Sequence, residues 1–415
     1  MQADRILVVG TTSDYVDLLR RRSPGRVLFV TDPGIRAGAA EPKPAEDEEV
    51  LSRLDDPARL RERVLAHCRT WGQRVVGVAC YDCESLGPAA LLAQAFSLPF
   101  PSPASVAACR SKLASKTLWH QAGVPAPRAV RAGNVEEAVS FHAHLGTDVV
   151  VKPIMGSGSE LVFRCRDEQE VRRALAIIAS STPRSEPRDV VIEECVVGTE
   201  YSCDFFLDDA GIRILRTARK IPGPETFGTT LAYEVPSDWP VPDLAAQIER
   251  AARCLGLERT LGMVDFICRD GKALLLELTP RPGGDCLPPL LQHSGGLDML
   301  TLALDVAAGK SHQLPATDRW RPRVGLRLLG TQEGTIARLD DTDLRRDIRV
   351  VESRLTRRPG HRVVLPPADY DAWVLGYAIF IPTSGSPIGP QCTELRNLLR
   401  VDVDTHAVAP AASGG

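Results

Sequence analysis

The chain has 415 residues, 44% of them apolar, with a net charge of only −3. At roughly 100–200 residues per unit, that length holds two to four units around a sizeable core. The charge balance gives no global attraction to nucleic acid or an anionic membrane, and no apolar run approaches the ~20 residues of a membrane span. The opening MQADRILVVG enters a strand-like segment directly rather than through a charged region and a long apolar one, so a cytoplasmic enzyme is expected. The 11 cysteines are odd in number and scattered, which argues against a disulfide framework. Cys80 and Cys83 have CxxC spacing, but no second Cys or His pair follows at zinc-site spacing. They read as small residues at a strand end, with metal or redox chemistry as the lesser alternative.

Strand and helix signals alternate through the first hundred residues. RILVVG (5–10), RVLFV (26–30) and VVGVAC (75–80) are β-branched runs, and helical patterns lie at 13–22, 57–70 and 86–96. Such alternation predicts a parallel sheet covered by helices. The first turn is Gly10-Thr11-Thr12-Ser13, so the dinucleotide fingerprint GxGxxG is absent. The stretch 33–48, rich in Ala, Pro, Gly and Glu, reads as an exposed loop. LPFPSPAS (98–105) reads as a linker, followed by one helix from Ser105 to Ala122 that Gly123 and Pro125 stop. DVVVKP (148–153) and ELVFRC (160–165) form a hairpin around a Gly/Ser tip. A helix over 168–179 then leads to the strand DVVIEE (189–194). Two strands meet at Ala210-Gly211, and Ile221–Ser237 reads as a mobile loop rich in Gly and Pro. After a helix over 243–255, GMVDFICRD and KALLLELTP form a hairpin at Asp270-Gly271. The remainder from about Pro315 reads as a C-terminal subdomain, and 409–415 as a disordered tail.

Three segments carry chemistry. In VVVKPIMGSGSE a lysine ends an apolar strand, and a glycine-rich turn follows at once. Lys152 offers charge, and Gly156 and Gly158 let backbone N–H groups approach phosphate oxygens. An ordinary hairpin with an exposed lysine is the alternative. In VIEECVVGTEYS two acids end a buried strand and Glu200 follows. Taken alone, this reads first as a strand running into a turn with solvated glutamates. In GMVDFICRDGKALLLELTPRPGGD, counting back from the Asp270-Gly271 turn brings Asp265 and Glu277 near each other across the ladder. Two carboxylates in apolar runs suggest a divalent cation. Arg281 follows on a Pro-flanked loop.

In this order and spacing, the three segments resemble the ATP-grasp superfamily, over roughly 1–310 and more weakly beyond. The arrangement is most similar to its L-amino-acid ligase and biotin-carboxylase-like branches. The resemblance implies an α/β and α+β protein with an N-terminal parallel-sheet domain (1–105), an ATP-grasp nucleotide-binding region (106–312), a C-terminal subdomain (313–408) and the tail. It implies ATP and Mg²⁺ as cofactors. Lys152 and Lys112 would contact phosphates, with Lys116 a rival for the second role. The loop Ile154–Ser159, including Gly156, Ser157, Gly158 and Ser159, would close over the phosphates. Glu193 would face the adenine amino group, with Glu194 beside it, Cys195 and Val196 lining the adenine edge and Glu200 on the ribose. Asp265 and Glu277 would hold the metal. Thr279 stands where the family usually has asparagine, which puts the second metal position in question. Arg281 would stabilise charge on the acyl phosphate. Thr229, Thr230 and Tyr233 are candidates beside the acid substrate.

The expected activity is a carboxylate–amine ligase acting on an amino acid or small peptide through an acyl phosphate. A bicarbonate-using ATP-grasp enzyme and a silent ATP-binding regulator remain open. Small-molecule carboxylate and amine substrates are the expected partners, without nucleic acid or membrane, in a homodimer.

Overall fold

The computed structural model describes residues 2–10, 13–39, 41–181, 189–223, 227–235, 241–310, 320–366 and 368–405. The chain opens with β1 (Ala3–Val9), α1 (Ser13–Arg22), β2 (Val27–Thr31), α2 (Pro33–Gly38), β3 (Glu49–Leu51), α3 (Pro57–Trp71), β4 (Gln73–Cys80) and α4 (Leu86–Ala95). The strands lie in the order β3-β2-β1-β4, all parallel, with Ile6 between Val27 and Gly77. Period-two alternation sorts the side chains. Leu7 and Val9 pack with Leu60, Val64 and Leu86, whereas Ile6 and Val8 pack with Tyr15, Val16 and the later Leu300.

The predicted loop over 33–48 is only partly a loop. Pro33–Gly38 is helical because the Asp32 side chain accepts from Gly34 N (2.8 Å) and Pro33 supplies a preset φ at the first turn. The buried Arg36 is then held by Glu41 and Glu49, both at 2.7 Å.

Next come α5 (Pro103–Arg110), α6 (Lys112–Gln121), β5 (Ala129–Ala132), α7 (Val135–Leu145), β6 (Val149–Pro153), β7 (Phe163–Cys165), α8 (Glu168–Ser180) and β8 (Val190–Glu194). The single helix expected over 105–122 is two. Ser111 is extended (φ −85°, ψ 106°), and its side chain accepts from Ala114 N, so it ends one helix and caps the next. The strands make an antiparallel sheet in the order β5-β8-β6-β7, with β6 and β7 paired as the predicted hairpin.

The rest contains β9 (Thr199–Asp208), β10 (Gly211–Pro222), β11 (Thr230–Val235), α9 (Leu244–Cys254), β12 (Thr260–Arg269), β13 (Lys272–Thr279), α10 (Leu287–Gly295) and α11 (Met299–Ala307). It ends with β14 (Arg323–Leu329), β15 (Gly334–Asp340), α12 (Thr342–Arg346), β16 (Val350–Leu355), β17 (Arg362–Val363), β18 (Val374–Phe380), α13 (Ile388–Arg396) and β19 (Arg400–Asp404). An eight-stranded antiparallel sheet runs β13-β12-β9-β10-β11-β14-β18-β16, so strands beyond 320 extend the sheet that begins with the carboxylate hairpin. The stretch 221–237 is not one loop. Thr230–Val235 is a strand buried at all but Glu234, and it pairs with β10 on one side and β14 on the other. Residues 224–226 and 236–237 of that stretch, and the tail 409–415, lie outside the described residues. No helix among the described residues is long and apolar enough to cross a membrane.

Candidate active site

The four-stranded sheet supplies one wall. Val150 and Lys152 on β6 stand opposite Glu193 and Val191 on β8, so the lysine and the glutamate share a face. Lys152 Nζ donates to Glu193 Oε1, and the buried Lys116 places its Nζ 3.0 Å from Oε2. That second contact is an ion pair off the hydrogen-bonding angle, since Oε2 accepts no hydrogen bond. Lys116 Nζ also donates to Leu276 O at 2.7 Å. Burial raises the Glu193 carboxyl, but the two ammonium groups overcome that and hold it down at about 2. Burial also drives the Lys116 ammonium down to about 8 despite the pull of Glu193.

Glu193 therefore serves the lysines. Lys112, at the start of α6, donates from Nζ to Gly156 O (2.9 Å) and ties the glycine-rich loop to the helix. The same loop is fastened outward. Ser157 Oγ donates to Glu84 Oε1 (2.7 Å), and Ser159 Oγ to Gly228 O (2.7 Å). Cys195 N donates to Asp148 O (3.0 Å), so its N–H is already taken. Glu194 pairs at 3.5 Å with Arg128 and with Arg269.

The eight-stranded sheet supplies the other wall. Asp270 and Gly271 both have positive φ, 52° and 71°, as a two-residue hairpin turn requires. A register shift between Asp265 and Phe266 then sets Asp265 directly opposite Glu277. Asp265 is buried, which pushes its carboxyl up against the pull of Lys220. Glu277 is held low, because Lys112, Lys152 and Lys220 outweigh its burial. Lys220 Nζ lies 2.6 Å from both Glu200 Oε1 and Asp265 Oδ2. Asp265 Oδ1 is buried with no hydrogen-bond partner. Two facing carboxylates, one with an orphaned oxygen and already touching an ammonium, suit a divalent cation. No group of three or more His, Cys, Asp or Glu side chains is arranged for a metal among the described residues. Further ligands for such a cation would have to come from elsewhere.

One cleft joins the two walls. It encloses ≈ 880 Å³ including its open mouth, and its lining contains Lys112, Lys152, Gly156, Ser157, Gly158 and Ser159. Glu193, Glu194, Cys195, Val196, Glu200, Asp265 and Glu277 line it too. Lys116, Thr279 and Arg281 are not on its lining. Thr279 is buried on β13 opposite Met263. Thr229 and Thr230 line a neighbouring hollow that shares Glu200 and Lys220 with the cleft, and Tyr233 is buried opposite Lys220 on β10.

Arg281 points to the carboxyl ends of the parallel strands. Its Nε and Nη2 lie 3.2 and 3.0 Å from Cys83 Sγ, and Nη1 donates to Pro282 O. It has no carboxylate partner among the described residues. The loop that carries it is fixed from below. Asp204 accepts from Gly283 N (2.8 Å) and from Arg216 Nε (2.6 Å). A Cβ at Gly283 would come within 2.7 Å of Leu287 and 2.9 Å of Arg216, which explains a glycine there.

The sequence reading missed Lys220, and it named Cys83 only as part of the CxxC pair, without its contact to Arg281. Lys220 sat inside a strand as one more basic residue, and only strand order brings it between Glu200 and Asp265. Cys83 meets Arg281 across 198 residues.

The sequence profile of the ATP-grasp domain matches residues 145–289. An uncharacterised protein of Sinorhizobium fredii is 26% identical over 396 residues, covering 93% of this chain and 80% of that protein. A D-alanine–D-alanine ligase of Methylibium petroleiphilum is 28% identical over 325 residues, 73% of this chain and 94% of that one. Among solved structures, an L-amino acid ligase from Bacillus licheniformis superposes with a TM-score of 0.76 at 17% identity, covering 98% of this chain and 100% of that one. The biotin carboxylase domain of a Hydrogenobacter thermophilus 2-oxoglutarate carboxylase, solved with MgADP and bicarbonate, gives 0.70 at 17% identity over 96% and 90%. Residues 145–289 thus match an ATP-grasp domain, and the chain as a whole is similar to ATP-grasp ligases.

Proposed function

We propose that the chain joins a small carboxylate to an amine through an acyl phosphate, releasing ADP and phosphate, with an amino acid or small peptide among its substrates. The supporting observation is the meeting of Lys112, Lys152, Glu200, Asp265 and Glu277 from opposite walls of one cleft. Beside it stands the Arg281 guanidinium, which has no carboxylate partner among the described residues and can receive an anionic group.

In this reading Lys112 and Lys152 bind phosphate oxygens, and Gly156–Ser159 close over them. Glu194, Cys195 and Val196 border the adenine, and Glu200 the ribose. Asp265 and Glu277 would hold Mg²⁺, which when bound supplies charge neutralisation at the phosphates. Glu193, with both oxygens beside lysines, positions those lysines. The substrate carboxylate attacks the γ-phosphorus, and the bridging oxygen leaves with ADP. The amine then attacks the acyl carbon, loses a proton, and phosphate departs. Arg281 stabilises the charge on the acyl oxygen. Water must be kept from the acyl phosphate, and the loop fastened at Ser157 and Ser159 fits that role. The division at about 105 and 312, and a homodimer, belong to the same proposal.

The test is a screen of acid and amine pairs for nucleotide products, with hydroxylamine added as a trap. ADP together with an acid-specific hydroxamate is the expected result. Stoichiometric AMP and pyrophosphate would overturn the mechanism, and turnover that needs bicarbonate but no amine would overturn the substrate class.

A further inference from the structure

A second cavity lies at the seam between α1 and the edge strand β16, and none of its lining residues lines the nucleotide cleft. It encloses ≈ 1290 Å³ including its mouth. Arg21 and Arg22 reach it from α1, Arg345 from α12, Arg354 from β16 and Arg358 from the turn beyond.

The carboxylates here are mostly spoken for. Glu352 accepts from Tyr377 OH and pairs with His293 Nε2, both at 2.7 Å. Glu41 is held by Arg36 at 2.7 Å. Two of the arginines are also committed, Arg22 to Asp298 (3.0 Å) and Arg345 to Asp341 (2.7 Å). Arg21, Arg354 and Arg358 make no ion pair among the described residues; of the lining carboxylates Asp17 makes none either, and Glu352 has an imidazole rather than a guanidinium or ammonium beside it. The lining thus carries five guanidiniums, three of them without an ion pair, against three carboxylates, a local excess of positive charge in a chain whose net charge is −3. Like charges brought to one concave surface repel each other unless a counter-anion is shared, and the guanidinium fork matches phosphate and carboxylate oxygens. The hydroxyls of Ser353 and Thr356 stand on the same wall.

We propose that this cavity binds a small polyanion, a ligand with at least two phosphate or carboxylate groups, held by Arg21, Arg354 and Arg358. The site is independent of the ligase chemistry proposed above. Its occupant bridges the parallel-sheet unit and the far edge of the eight-stranded sheet.

The test is isothermal titration calorimetry of the full chain with pyrophosphate and, separately, with citrate, at low ionic strength where exposed charges are least screened. Wild type is expected to bind at least one probe. The double variant Arg21→Ala/Arg354→Ala should bind it at least ~10-fold more weakly, a conservative figure for two partly exposed charges. Its melting temperature should match wild type, because Arg21 is exposed and Arg354 partly so. Lys152→Ala, in the other cleft, should leave that binding unchanged. Binding of pyrophosphate alone identifies a phosphate ligand, and of citrate alone a carboxylate one. Failure of wild type to bind either probe overturns the proposal. So does a loss of binding that follows Lys152 rather than the arginines.

Discussion

Lys112 and Lys116 lie one helical turn apart on α6, so from sequence either could reach a phosphate. The structure separates them. Lys112 lines the cleft, whereas Lys116 is 1% exposed, off the cleft lining, beside Glu193 and Leu276 O. Lys116→Met leaves the buried Glu193 with Lys152 as its only counter-cation. Removing one partner of a buried pair typically costs 3–5 kcal/mol; with Lys152 retained, the loss should sit near the low end, about 3 kcal/mol. At roughly 2–4 °C per kcal/mol, that is a melting temperature lower by ~6–12 °C without nucleotide. Lys112→Met removes a charge from the cleft wall and no buried pair. One charged hydrogen bond to phosphate is worth about 1.5–3 kcal/mol, so the nucleotide Kd should rise roughly 10- to 100-fold with melting nearly unchanged. Scanning fluorimetry and nucleotide titration of the two variants give the comparison. If Lys116→Met melted like wild type and lost nucleotide affinity as Lys112→Met does, the assignment of Lys116 to structure would be refuted.

Arg281→Ala should lower turnover at least ~100-fold while leaving the nucleotide Kd within error, because Arg281 is off the lining of the cleft; an equal loss of binding and turnover would place it on the nucleotide instead. Glu277→Gln should abolish Mg²⁺-dependent turnover with the fold intact by circular dichroism, whereas Thr279→Asn should remain active, since Thr279 lies behind the cleft wall; wild-type rates in Glu277→Gln would remove the metal assignment. Burial raises the Asp82 carboxyl to about 6, so the folded chain holds that proton more tightly than the unfolded one, and stability falls as pH rises from about 4 to about 6. Asp82→Asn keeps an acceptor for Ser85 N and should therefore melt higher than wild type at pH 7.5, by up to about 3 kcal/mol, with the gain gone below pH 4; a lower melting temperature at pH 7.5 would show that the charge is needed.

Local chemistry wrote much of this fold legibly. Counting back from the Asp270-Gly271 turn brings Asp265 and Glu277 near each other, but their direct pairing depends on a register shift beside Asp265 that counting does not show. The β6–β7 hairpin was visible because a Gly/Ser tip separates two apolar runs. Local misreadings came from composition outweighing a single cap or a short alternation. Pro and Gly in 33–38 suggested loop, yet Asp32 and Pro33 start a helix. Ser111 looked like helix interior until its cap was seen. In 221–237 the Gly and Pro residues masked the period-two pattern of Leu231, Tyr233 and Val235. The distant contacts were not readable at all. Glu193 looked like an open acceptor at a strand end, because nothing in VIEEC shows that Lys116 arrives from a helix 77 residues earlier.

The charges of the cleft bear on how a nucleotide is received. Lys112, Lys116, Lys152 and Lys220 stand against Glu193, Glu200, Asp265 and Glu277, and Glu160 and Glu194 line the cleft as well, so the lysines do not outnumber the carboxylates. Each cation also has a local duty. Lys116 and Lys152 flank Glu193, and Lys220 bridges Glu200 and Asp265. Lys112 holds the Gly156 carbonyl. A nucleoside triphosphate entering this cleft adds several negative charges to a set with no excess of lysines, next to two facing carboxylates. Repulsion at Asp265 and Glu277 would then oppose binding unless compensating cations came with the phosphates. On the proposed function, Asp265 and Glu277 would hold Mg²⁺ when the nucleotide is present, and the ion would supply that compensating charge. The same compensation frees Lys220: once another cation neutralises Asp265, the ammonium can leave that carboxylate and turn to the phosphates, with no new buried charge exposed.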